Sequence, residues 1–289
     1  MMTNILLAGS TGYLGRHILK ELRNWQIPVK AVAREPEKLR TFVQNDLISV
    51  IKAEVTKPES LINLCDGIDT VISTVGITRQ KDGLTYMDVD YQANMNLLNE
   101  AQRSGVRKFI YVSAIDGDKL RHLHILEAKE KFVDALKASG LEYSIIRPNG
   151  FYSDMRDFLD MARSGRVYLF GDGEYKLNPI YGADLAEVVV KAIAQKEKEI
   201  SVGGPDLLTQ NEIAEMALNA WGNNIKITHI PDWVRVFIVQ AARLFTPIST
   251  YGPLEFFLTL MARDNIAPRY GTHHLQDFYK REVTNHLNL

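Results

Sequence analysis

The chain has 289 residues, 46% of them apolar and 24% charged, with a formal net charge of -1. That balance is ordinary for a folded protein and creates no field that would gather polyanions, so nucleic acid is not an expected partner. A single cysteine, Cys65, excludes an internal disulfide and fits a reducing compartment, and its surroundings, LINLCDG, suit a buried small hydrophobe in a helix-like run.

From the amino terminus, MMTN runs straight into a strand-like ILLAG without a basic region and signal-type apolar core, which gives the expectation of a cytoplasmic protein. The strand-like runs NILLAG, PVKAVA, ISVIKA, TVISTVG, KFIYVSA and YSIIRP follow in order. Helical spacing separates them, in YLGRHILKELRNW, PEKLRTFVQ, PESLINLC, YQANMNLLNEAQRSG and LEAKEKFVDALKASG. Strands that are apolar almost throughout, each followed by a helix, predict a doubly wound α/β fold with a parallel sheet over residues 1–150. Beyond that the pattern loosens. RVYLFGDGEYKLNPIY carries turn signals at Gly171 and Gly173, and a helix ADLAEVVVKAIA, a strand ISVGGP, a helix EIAEMALNAWG and a strand IKITHIP follow.

Two apolar helical segments come next, so residues 151–289 are expected to form mostly a smaller substrate lobe, with 179–204 returning to the first domain. No uncharged stretch reaches the roughly 18 residues of a spanning helix. The most apolar one, WVRVFIVQAARLF (233–245), is interrupted by Arg235 and Arg243. With YGPLEFFLTLMA after it, this segment has two readings: packing on the core, or a lid over a bulky apolar substrate with peripheral membrane contact.

Between the first strand and first helix, ILLAGSTGYLGRHILKEL places Gly9, Gly12 and Gly15. A tight turn with close backbone approach lets main-chain N–H groups and a helix N-terminus hold a pyrophosphate. Gly9, Ser10, Thr11, Gly12, Tyr13, Leu14 and Gly15 are therefore the expected phosphate-binding turn. A site preferring NAD would carry an acid after the second strand; AVAREPEKL instead puts Arg34 there, a guanidinium suited to a 2′-phosphate, with Glu35 turned the other way along the pleat. The expected cofactor is NADP(H).

The segments AGSTGYLG, AREPEKL, FIYVSA, AKEKFVDALKASGLEYSIIRP, NPIYGADLAEVV and SVGGPDLLT resemble the atypical short-chain dehydrogenase/reductase superfamily, in its NmrA-like branch. The pattern is most similar to the divinyl chlorophyllide 8-vinyl reductases, which show a comparable RYGTHHLQDFY-type segment after a similar pair of apolar helices. The resemblance implies that Gly9 to Gly15 bind the pyrophosphate and Arg34 the 2′-phosphate. It further implies that Glu54 and Val55 flank the adenine, that Thr74, Val75 and Gly76 line the ribose side, and that Pro148 and Phe151 edge the nicotinamide.

In the usual members a tyrosine donates a proton, helped by a lysine four residues on, one helical turn away, and a serine polarises the substrate oxygen. The resemblance places Ser113 and Lys129 at the serine and lysine positions as candidate catalytic residues, with Lys129 also holding the nicotinamide ribose; the other reading of Lys129 is a surface lysine in a charge-rich helix with Glu127, Glu130 and Lys131. Ile125 stands where the tyrosine belongs. Isoleucine has no proton to give, which excludes ordinary carbonyl reduction by that route. Reduction of an activated C=C bond remains open, because its proton can come from water or another acid; His122, His124 and Tyr152 are candidates. His273 and His274 are adjacent and point apart, and with no HExxH, CxxC or carboxylate cluster no metal is expected. Three functions follow: an NADPH-dependent reductase of an apolar conjugated substrate, a non-catalytic NADP(H)-binding sensor or assembly factor, and a nucleotide-sugar epimerase. The last is disfavoured because it uses the tyrosine as its base.

Overall fold

In the computed structural model, which describes residues 4–42, 46–78 and 83–287, the apolar runs become strands β1 (Ile5–Ala8), β2 (Val29–Ala33), β3 (Ile48–Lys52), β4 (Thr70–Ser73), β5 (Lys108–Val112) and β6 (Glu142–Pro148). Two short strands, β7 (Val167–Phe170) and β8 (Lys176–Leu177), lie outside this sheet, and β9 (Glu199–Val202) adds to its edge. The sheet has seven strands in the order β3-β2-β1-β4-β5-β6-β9. It is a Rossmann-like parallel sheet in which Leu7 of β1 stands opposite Ala31 of β2 and Ile72 of β4. The winding reverses between β1 and β4, and the crevice at such a switch point is where ligands bind in this architecture.

Helix α1 (Tyr13–Asn24) buries Leu14, Ile18, Leu19 and Leu22 along one face. Helices α2 (Asn94–Arg103) and α3 (His124–Ala138) contribute Leu97, Phe132 and Val133 to a core that also holds Leu6, Val71, Phe109 and Tyr111. The contact units are discontinuous in sequence: the first comprises Met1–Arg147 and Leu185–Ile200, the second Pro148–Asp184 and Ser201–Leu289. The second contains α4 (Arg156–Arg163), the small pairs of β8 with β10 (Leu208–Thr209) and of β7 with β11 (Ile227–Ile230), and α6 (Gln210–Ala220), which opens on a Thr209–Glu212 capping box. Helix α5 (Gly182–Lys191) precedes β9 in the chain.

Several elements differ from expectation. PEKLRTFVQ and PESLINLC form only the 3-10 turns Pro36–Leu39 and Pro58–Leu61. In the second, Ile62 leaves the helical region with ψ 125° and Asn63 takes φ 63°, which ends the 3-10 helix; Val43 and Gln44 of the first lie outside the described residues. Cys65 therefore sits in a turn, fully buried, its thiol pushed up to about 12 chiefly by burial. Met87–Ala93 winds as a π-helix before α2 begins. At the carboxyl end, α7 (Asp232–Phe245) and α8 (Ile248–Leu260) are followed by α9 (Leu275–Leu287), which the sequence reading did not give. Core packing fails as the account of α7. It has no buried residue, and Trp233, Phe237, Leu244 and Phe245 are exposed. Among the described residues no helix is long and apolar enough to cross a membrane.

A buried polar network ties α3, β6 and β9 together. Arg147 donates from Nη1 and Nη2 to Glu130 at 2.6 and 2.9 Å and from Nε to Glu199 at 2.9 Å, while Lys137 reaches Glu199 from the far side. Glu130 is fully buried. Removing it would strand a buried guanidinium, so Glu130→Ala should lose about 3–5 kcal/mol of stability in urea unfolding. Ser113→Ala, which removes one hydroxyl donor to Glu130, should lose about 1 kcal/mol.

Candidate functional site

The first unit holds a cavity of about 330 Å³ at the ends of β1, β2 and β4. Gly9, Thr11 and Gly12 form one side of it. Arg34 forms another with Glu54 and Val55, and Thr74, Val75 and Gly76 form the floor behind β4. The structure thus brings these nine residues to one place, together with Val32, Ala33, Ala53, Thr56, Ile77, Leu84 and Val89, which the sequence reading did not single out.

The glycine turn is dictated by contact. Gly9 has φ 82°, and a Cβ there would lie 2.4 Å from Thr74 Oγ1; a Cβ on Gly15 would lie 2.2 Å from the Gly9 carbonyl oxygen. Ser10 does not line the cavity. Its buried hydroxyl donates to the Val32 carbonyl at 2.6 Å and fastens the turn to β2. Arg16 Nε donates to the Thr11 carbonyl at 3.0 Å. Helix α1 starts at Gly12 with no side-chain cap and no acid in its first turn, and Arg16 N to Gly12 O, at 3.1 Å, opens its ladder. The main-chain N–H groups of the first helical turn point out of this end of α1, and the positive end of the helix dipole lies with them. A glycine cradle plus uncapped helix donors fits an anionic pyrophosphate.

Arg34 is exposed at the end of β2. Glu54, beyond β3, is held below the usual carboxylate range by its hydrogen bond from Lys57, then by Thr56 and the charges of Lys57 and Arg34. Its backbone is pinned by Ser60, which bonds both the Glu54 N–H and carbonyl.

A second group of side chains stands against the cavity floor. Lys129, expected as either a cofactor ligand or a surface lysine, is largely buried, with Nζ 2.8 Å from Oδ1 of the fully buried Asp90. Burial alone would pull the ammonium down, but Asp90 and the Tyr111 hydroxyl beside it hold it above the ordinary lysine value. Burial raises the Asp90 carboxyl, against the pull of Lys129 and the Ile77 N–H. Ile125, one turn before Lys129 on α3, is buried too. Ser113 follows β5, buried, and donates its hydroxyl to Glu130 Oε1 at 2.8 Å. Its one proton is committed to the Glu130–Arg147 pair and leaves none to polarise a substrate oxygen.

The suggested proton donors are dispersed. His124 opens α3 beside Glu127, at 3.5 Å and partly exposed. Tyr152 is fully buried in the second unit and donates to the His273 carbonyl at 2.6 Å, so its proton is spent as well. Pro148 and Phe151 also belong to that unit, where Phe151 bridges to Ile180. His273 and His274 point apart: Nδ1 of the first meets the buried Asp184 at 2.8 Å, and Nδ1 of the second meets Asp206 at 2.7 Å. Among the described residues no cluster of His, Cys, Asp and Glu could hold a metal. Asp90 and Tyr111 were missed. An acid four residues before Asn94 in DVDYQAN was the available signal, but its partner lies on a distant helix.

A family model described as NAD(P)H-binding matches residues 9–196. The chain belongs to this NAD(P)H-binding family, as an atypical short-chain dehydrogenase/reductase of the NmrA-like type. It is similar to the divinyl chlorophyllide a 8-vinyl-reductase of Arabidopsis thaliana, 28% identical over 97% of this chain and 76% of that protein. It is also similar to the photosystem II assembly factor Ycf39 of Synechocystis, 24% identical over 83% of this chain and 74% of the relative. Among solved structures, an NADPH-dependent quinone oxidoreductase from Escherichia coli complexed with NADPH shares the fold. Its TM-score is 0.73 at 16% identity, over 96% of this chain and 99% of that one.

In this family member, Gly15→Ala should push the turn off the helix donors. Losing one charge-assisted hydrogen bond, about 1.5–3 kcal/mol, corresponds to about 10–100-fold weaker binding of a nicotinamide dinucleotide. Titration of intrinsic or nucleotide fluorescence measures it.

Proposed function

We propose that this chain is an NADPH-dependent reductase acting on an apolar, conjugated substrate without a tyrosine proton donor. The observation that carries the reading is the pair on α3: Lys129 is retained, charged and set against the cavity floor, while the position one turn earlier holds buried Ile125. Groups suited to hold the dinucleotide are kept, and the acid for alcohol–ketone chemistry is absent. The glycine turn and the N–H groups of α1 would take the pyrophosphate, Arg34 the 2′-phosphate, Glu54 and Val55 the adenine, and Thr74 to Gly76 with Lys129 the ribose side. When bound, NADPH supplies a hydride equivalent. Ser113 keeps its proton on Glu130 and acts through the fold, so the proton for a reduced C=C bond comes from water or another acid. The relatives named as 8-vinyl reductases support this reaction class.

Two measurements test the reading. Replacing Arg34 with serine should cut the preference for NADPH over NADH by about 10–100-fold, the worth of one charge-assisted contact of about 1.5–3 kcal/mol; an unchanged ratio of dissociation constants would remove the NADP assignment. NADPH consumption should be seen with at least one of a panel of vinyl-bearing tetrapyrroles, enones and quinones. Tight NADPH binding with no turnover across that panel would sink the reductase.

The second reading, a non-catalytic NADP(H)-binding sensor or assembly factor, draws on the same Ile125 and on the similarity to the photosystem II assembly factor. It expects partner capture to differ between NADP+, NADPH and no nucleotide, and identical capture in all three states counts against it.

A further inference from the structure

The π-helical turn Met87–Ala93 carries Asp90 inward, and its surroundings fix the carboxylate from several sides. Asn94 donates to the carbonyls of Asp90 at 2.9 Å and Val75 at 3.2 Å and accepts from Ser73 Oγ at 2.5 Å, which ties the turn to the end of β4. Asp90 Oδ2 accepts from the Ile77 N–H at 3.2 Å. Oδ1 faces Lys129 and, like the buried Tyr111 hydroxyl, makes no hydrogen bond of ordinary geometry. A Cβ on Gly76 would lie 2.5 Å from Asp90 Oδ1 and 2.7 Å from Lys129 Nζ. The ion pair therefore stands directly behind a residue that lines the cavity.

We infer that Asp90 is a positioning residue of this site, whose carboxylate fixes the Lys129 ammonium behind Gly76 as a charged hydrogen-bond donor to the sugar of the bound dinucleotide. The inference rests on the NADPH-binding reading above. An ammonium has three protons, and one directed at Asp90 leaves others for a ligand hydroxyl. Because the pair is close to neutral, the site gains a donor without a strong net field. The groups that set the charge of Lys129 are Asp90 from the π-turn, Tyr111 from β5 and, acting through Tyr111, Glu130 on α3. Tyr86, at the start of the turn, has its phenol raised by burial and then by the charge of Asp90, and donates its hydroxyl to the Thr78 carbonyl at 2.9 Å.

Without its carboxylate partner, burial would be left to push the lysine toward its neutral form. The first measurement uses the nucleotide-free protein with 13C-labelled lysines, the Lys129 resonance being assigned by its absence from Lys129→Met. In the unsubstituted protein the midpoint should lie above that of a free lysine, about 10.4, and in Asp90→Asn it should fall below that value. The second is the pH dependence of NADPH binding. Affinity should stay flat between about pH 7 and 10 in the unsubstituted protein, weaken about tenfold across that range in Asp90→Asn, and be weak and flat in Lys129→Met, the tenfold step matching about 1.4 kcal/mol for one lost donor.

A lysine midpoint that stays above 10.4 in Asp90→Asn, or NADPH binding unchanged by it at every pH, overturns the role of Asp90. Failure of the unsubstituted protein to bind NADPH overturns the cofactor reading instead, and the lysine midpoint still reports on the ion pair. Should Asp90→Asn not fold, Asp90→Leu with Lys129→Met removes both charges together. Recovered folding with weakened, pH-independent NADPH binding supports the inference, and recovered folding with undiminished affinity overturns it.

Discussion

A lysine ammonium taken out of water destabilises a fold by several kcal/mol unless a counter-charge lies against it, and here that counter-charge is Asp90. Much of the local architecture follows from bringing the two together. The chain after β4 must pass close enough for the Ile77 N–H to reach the carboxylate, which leaves no room for a side chain at position 76. The helix that carries Asp90 must swing it inward, and it does so with a widened turn whose freed carbonyls Asn94 takes up. Wide turns of this kind are often found where a helix has been bent to serve a site.

The same accounting applies to protons. Ser113 and Tyr152 each look like a chemical group when read along the chain, and each donates internally in the folded protein, to Glu130 and to the His273 carbonyl, while Lys129 is held in an ion pair with Asp90. Beside the cavity of the first unit, the Lys129–Asp90 pair orients and holds. It is poorly arranged to hand a proton to an alkoxide, in keeping with the aliphatic side chain at position 125 and with membership of an NAD(P)H-binding family whose relatives include both reductases and assembly factors.

Much of this was legible before folding. Alternating apolar strands and amphipathic helices give the parallel sheet, and the spacing of Gly9, Gly12 and Gly15 between β1 and α1 marks the cradle, because both depend on local pattern. What stayed hidden depends on distant partners. Nothing near Asp90 says that it will be buried, since what makes burial tolerable is a lysine on another helix. Glu130, in the charge-rich run LEAKEKF, reads as a solvated acid until Arg147 from β6 arrives beside it. The second of the two absent helices fails for a local reason instead: Ile62 and Asn63 stop it after a single turn. Helix α7 reverses the usual rule, turning Trp233 and Phe237 to solvent, where periodicity marks an apolar face without saying what faces it.

The first unit is assembled from two stretches of chain separated by residues 148–184. Strand β6 takes its outer neighbour from β9, Lys108 is capped by the carbonyls of Ala192 and Gln195, and Arg147 takes one of its carboxylates from Glu199. During synthesis, therefore, the nucleotide-binding sheet cannot be completed when its sixth strand emerges. Until residue 200 has left the ribosome, β6 is an open edge with a partly unsatisfied arginine and a buried-to-be lysine without its acceptors. For this fold, vectorial synthesis delays closure of the very unit that comes first, and the nascent chain spends that interval with an edge other strands could pair with.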